Sequence, residues 1–120
     1  MRFMTMVKSA ENHGPPPKAL MDAIMRLGME AAQAGVLVES GGLAPTAMGG
    51  RVVLADGELT SFDGPFTEAK EVIGGYAVYE LKSREEAMHW ARRFMEVHRD
   101  NWPGWKGEAE VRQIFGPPPG

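Results

Sequence analysis

Apolar positions along the chain recur with two different periods, and the switches between them mark out the elements. Arg2–Val7 is short and almost uniformly apolar, which predicts a strand. Gly14 and the three prolines after it rule out a ladder or a helix interior. Pro17 suits an early helical position. From Lys18 to Ala34 the period becomes helical: Leu20, Ile24, Leu27 and Ala31 form one stripe, and Met21, Met25 and Met29 a second beside it. Gly35 stands where a left-handed C-cap belongs. Val36–Ser40 predicts the second strand, followed by a glycine-rich connection. Arg51–Phe62 predicts a hairpin turning on Asp56-Gly57, the pair that a primed turn prefers. Gly75–Leu81 is a further strand. Ser83 and Glu86 make a capping box for a second helix carrying Ala87, Trp90, Ala91, Phe94 and Val97. A loop from His98 to Glu108 and a last strand, Ala109–Phe115, complete the domain.

The order is β-α-β, an inserted hairpin, then β-α-β. It predicts an α+β fold of the ferredoxin-like, split βαβ kind over residues 1–115, with a Pro/Gly tail at 116–120. Two helices cover one sheet face. On the first strand Phe3, Thr5 and Val7 point one way and Met4, Met6 and Lys8 the other, and Val78 and Glu80 oppose Ala77, Tyr79 and Leu81. Apolar residues on both faces predict a homodimer packed through its sheets. The nine methionines read as adaptable core packing.

Charge narrows the partners. The net charge is −3 and Arg92-Arg93 is the one adjacent basic pair, so direct nucleic-acid binding is not expected. There is no cysteine, which removes disulfides, thiolate nucleophiles and cysteine-bound metals. No apolar run reaches the ~18 residues of a membrane span, and the first residues lack a signal-peptide core. A soluble, cytoplasmic protein is expected. The histidines at 13, 89 and 98 lack metal-ligand spacing, so neither a metal nor a cofactor is expected.

Candidate chemistry concentrates between Ser61 and Leu81. In Asp63-Gly64-Pro65-Phe66, Gly64 permits a positive φ, Pro65 fixes its own φ, Asp63 can bond the backbone ahead, and Phe66 can anchor in the core. Glu68, Lys70 and Glu71 follow closely. They read either as a surface salt-bridged run or, if Lys70 converges with Asp63 and Arg112, as a cradle for a small anion. In a third reading Arg112 pairs with Asp63 or Glu71 and locks loop to strand. His13 has the intrinsic pKa of a general base, or is simply a solvent-exposed loop histidine. His89 is expected to face solvent, and His98 to lie near the negative end of the second helix. Trp102 and Trp105 either line an apolar pocket for a ring-bearing ligand or cover a helix end or the dimer seam.

The segment DGPFTEAKEVIGGYAVYEL, Asp63 to Leu81, resembles the signature of the DGPF-domain branch of the YCII-related family. Ala34–Thr46, Ser83–Phe94 and the closing EAEVRQIF are similar to that family's second strand, second helix and last strand. The resemblance implies a dimeric α+β barrel and carries over Asp63, Gly64, Pro65, Phe66, Glu68, Lys70, Glu71 and Arg112. It implies little about activity, since most members have no assigned reaction. One relative in the YCII branch removes chloride from a chlorinated hydroxyhydroquinone, and a His–Asp pair is that branch's proposed site. The branch histidine would fall near Ile24, and Lys18–Ala34 contains no histidine, so that chemistry does not transfer.

Two functions follow as expectations. In one, a cleft binds a small anionic or aromatic molecule, with Asp63 or His13 as acid/base and Lys70, Glu71 or Arg112 holding charge. In the other, the protein is a non-catalytic sensor or partner, which the DGPF resemblance would link to sigma-factor regulation. An exposed polar cleft around Asp63, Lys70 and Arg112 would favour the first, and their burial in one closed network the second.

Overall fold

Alternation along the first strand sets the architecture. A computed structural model describes residues 1–12 and 14–116. In it Phe3 and Thr5 are buried while Met4 and Met6, on the opposite face, are half-covered. The strand is β1, Arg2–Ser9; then come α1 (Lys18–Gln33), β2 (Leu37–Gly42), a 3₁₀ turn at Thr46–Met48, β3 (Gly50–Ala55), β4 (Glu58–Asp63), β5 (Val72–Glu80), α2 (Arg84–Asn101) and β6 (Glu108–Ile114). Four strands form one sheet in the order β2-β5-β1-β6, and all its pairings are antiparallel. That is the ferredoxin-like arrangement, with β3 and β4 inserted as a separate two-stranded sheet.

The helices form where the apolar period and the caps agree. Ser83 Oγ accepts from the Glu86 backbone N–H at 3.2 Å, and the Glu86 carboxylate reaches back to the Lys82 N–H. α1 has no side-chain cap: Pro17 is extended at ψ 151° and stands at the N-cap, so the helix starts one residue later than an early helical proline would allow. Gly35 ends it at φ +76°, as expected. Leu20, Ala23, Leu27 and Ala31 are buried, and Leu20 is 1% exposed. Burying such a leucine contributes roughly 1.5–3 kcal/mol. The second stripe departs from the expectation. Met21, Met25 and Met29 are exposed, Met25 by 66%, because the stripe through Leu20 and Leu27 already faces the sheet and the methionines lie a quarter-turn away from it.

Phe3, Ala31, Tyr79, Leu81 and Ala87 make the core cluster, at the end of the sheet where β1 begins. Trp90 stacks on Tyr79 with centroids 5.9 Å apart. The hairpin turns as predicted, with Asp56 at φ 52° and Gly57 at φ 78°. Its residues, Leu54 and Leu59 among them, are exposed almost throughout. Of the C-terminal tail, Pro117–Gly120 lie outside the described residues.

Candidate functional site

The loops that follow β1 and β2 and precede β5 meet at the opposite end of the sheet from the core cluster, and Thr46 ties them together. Its backbone N–H and hydroxyl both donate to the Glu11 carboxylate, the N–H at 2.8 Å. The same hydroxyl oxygen accepts from the Phe66 N–H at 3.1 Å. These bonds hold the Glu11 carboxyl below its usual pKa. Gly64 closes the clasp by donating its N–H to Gly49 O. Its φ is not positive. Glycine is needed for a different reason, because a Cβ there would lie 1.6 Å from the Thr46 carbonyl oxygen. Phe66 does not reach the core either. It is half-buried, and the Arg51 guanidinium sits over its ring at 4.5 Å while also bonding Glu68.

The structure disperses the polar candidates. Asp63, at the end of β4, is exposed and makes no side-chain hydrogen bond or ion pair among the described residues. Lys70 and Glu71 are exposed on the approach to β5. Arg112 lies on β6 opposite Met4, its side chain 72% exposed and bonded to Glu110. Neither the open polar cleft nor the closed network therefore forms among these residues. His13 lies outside the described residues. Among the described residues no group of three or more His, Asp or Glu side chains could hold a metal ion. No helix of the described residues is long and apolar enough to cross a membrane.

Beneath α1 is a cavity of about 530 Å³, within the range of small-molecule sites. Leu20, Ile24, Leu27 and Gly28 form its roof, Thr5, Val7, Leu37 and Ala77 its floor, and Phe94, His98, Trp102 and Trp105 its far wall. Glu11, Ala44 and Pro45 stand at the rim, so the Thr46 clasp fastens the mouth. None of Asp63, Lys70, Glu71 and Arg112 lines this space. Three details set it apart from an ordinary gap in packing. Thr5 is 4% exposed and its Oγ1 has no hydrogen-bond partner among the described residues. Gly28 is a mid-helix glycine with nothing within 4 Å of where its Cβ would be, although alanine would favour the helix by roughly 1 kcal/mol. No lysine or arginine contributes to the lining among the described residues.

His98 is the basic group in that wall. It lies in the last turn of α2, near the helix's negative end as expected, and the helix continues to Asn101, whose side chain donates to the Val97 carbonyl at 2.9 Å. The imidazole is turned inward and only 5% exposed, with Nδ1 2.9 Å from the Phe94 carbonyl oxygen. Phe94 and Trp105 flank the ring at 4.8 and 4.5 Å. Burial holds its pKa below the usual histidine value, and the Phe94 hydrogen bond opposes that shift.

A sequence model of the YCII-related domain matches residues 1–114. The chain belongs to the YCII-related family. A search of curated proteins finds no match. Within this YCII-related fold, sequence reasoning found the Trp102/Trp105 wall as one of two readings and missed Thr5, Gly28 and His98. Gly28 carried the available signal: a glycine on the apolar stripe of a helix, with no turn or cap to require it.

Proposed function

We propose that this YCII-related protein binds a small, uncharged, ring-bearing molecule in the cavity beneath α1. The observation that carries the reading is the space itself: about 530 Å³, apolar, walled by Phe94, Trp102 and Trp105, with no lysine or arginine in its lining among the described residues. Aromatic walls suit a ring. A carboxylate or phosphate fits poorly, because among the described residues the lining offers no lysine or arginine and the Glu11 carboxylate stands at the mouth. Of the anionic and aromatic alternatives, the aromatic one is favoured. The Asp63–Phe66 turn then acts as part of the rim's clasp, with no part in chemistry.

The same reading pairs the protein with a second copy of itself. An isolated two-stranded hairpin is marginal in water, yet Val52, Leu54 and Leu59 are each about 70% exposed. Light scattering that returned the mass of one chain at all concentrations would remove this part of the reading.

The cavity is tested by thermal shift with acetophenone, ethylbenzene and benzoate on the wild type and on Gly28→Leu, which fills the roof. The neutral compounds are expected to raise the wild-type midpoint, benzoate is not, and Gly28→Leu should lose the response. A response that survives in Gly28→Leu, or none from any compound, overturns the proposal. The second result would turn attention to a protein partner.

A further inference from the structure

We infer that His98 is the polar anchor of this cavity, and that its ligand carries an N–H or O–H donor which His98 Nε2 accepts. The inference rests on the cavity reading and adds to it the hydrogen-bonding character of the ligand. A carbonyl oxygen only accepts, so the 2.9 Å contact with Phe94 requires the hydrogen to be on Nδ1. In the neutral ring Nε2 is then a lone-pair acceptor. It has no donor among the described residues, and the imidazole lines the cavity.

The ring's direction is also fixed. Phe94 and Trp105 both pack against the ring, at 4.8 and 4.5 Å, and Trp105 in turn packs on Gly107. A Cβ on Gly107 would come within 2.3 Å of the indole and 2.7 Å of the Lys8 carbonyl oxygen. The acceptor is therefore preorganised, and it sits in a wall whose other members are aromatic. Burial favours the uncharged imidazole, so the pair it forms is neutral donor to neutral acceptor and needs no counter-ion. The ligand class that follows is an uncharged planar ring bearing one N–H or O–H.

Two isomers separate this inference from simple apolar filling. 1-Methylindole and 3-methylindole have the same composition and nearly the same volume, and only the second has an N–H. Calorimetric titration of the full-length protein near neutral pH is expected to give about tenfold tighter binding of 3-methylindole, the loss expected when a buried acceptor stays unsatisfied. In His98→Phe the two isomers should bind within about twofold of each other. If wild type binds both equally, the cavity reading stands and the His98 inference falls. If it binds neither, both fall. Should His98→Phe fail to fold, the nitrogen resonances of wild-type His98 take its place. Nε2 should shift with 3-methylindole and stay with 1-methylindole, and the same shift from both would overturn the inference.

Discussion

The backbone of Thr46 occupies the place where a side chain on Gly64 would have to be. A Cβ there would lie 1.6 Å from the Thr46 carbonyl oxygen and 2.5 Å from its carbon. Backbone cannot swing aside as a side chain can, so Gly64→Ala is expected to destabilise by about 1–3 kcal/mol or more. Asp63→Asn, one residue away but exposed and unbonded, should stay within about 0.5 kcal/mol of wild type. Urea melts of the two variants provide the comparison. Equal midpoints would show that the clasp does not support the fold.

Gly28→Ala is expected to move stability and binding in opposite directions. The new methyl group meets no atom within 4 Å, so the helix should gain up to about 1 kcal/mol. The methyl group enters the cavity roof, and affinity for ring compounds should fall. A variant that is more stable and binds equally well would show that Gly28 does not shape the site.

Trp105 depends on Gly107. With alanine at 107 the indole must move, since the Cβ would lie 2.3 and 2.5 Å from two of its carbons. Its contact with His98 at 4.5 Å should then be lost. Tryptophan emission should shift to the red as the ring enters water, and ring-compound binding should weaken. An unchanged spectrum would refute the dependence.

Arg112 tests the earlier expectation of an anion cradle. Its side chain is exposed, and its ion pair with Glu110 is of the surface kind, worth about 0–1 kcal/mol. Arg112→Ala should leave both the melting temperature and ring-compound binding nearly unchanged. Loss of binding in this variant would restore Arg112 to the site.

Two groups make stability fall toward acid, in different windows. His98 has a lowered pKa in the folded chain, so the unfolded chain takes up its proton first as pH falls. Stability from this group is complete above the ordinary histidine value of 6.5 and declines from there down to the folded value. Glu11 is also lowered, by its bonds to Thr46. Its contribution is present above the ordinary 4.5 and is lost as pH falls through its depressed value. Melts from about pH 3 to about pH 8 should show both declines, with His98→Phe flattening the upper one and Glu11→Gln the lower. A wild-type curve that His98→Phe leaves unchanged would place the imidazole in solvent.

Sequence by itself determined the parts of this protein that depend on near neighbours along the chain. The stripe through Leu20 and Leu27, the Ser83 cap, the Asp56-Gly57 turn and the left-handed Gly35 are local, and each was legible because period and capping act within a few residues. The α+β order followed from them. Tertiary structure decided which of two adjacent helical stripes meets the sheet, leaving Met21, Met25 and Met29 outside. It also assigned Gly64 to a close approach by Thr46, eighteen positions earlier, where sequence suggested a backbone angle. The same is true of the site. A density of charge at Asp63, Lys70 and Glu71 is visible in a linear chain, whereas the cavity is a separation between α1 and the sheet. Its members, Thr5, Gly28 and His98, are brought together only when β1 pairs centrally and both helices pack on one face.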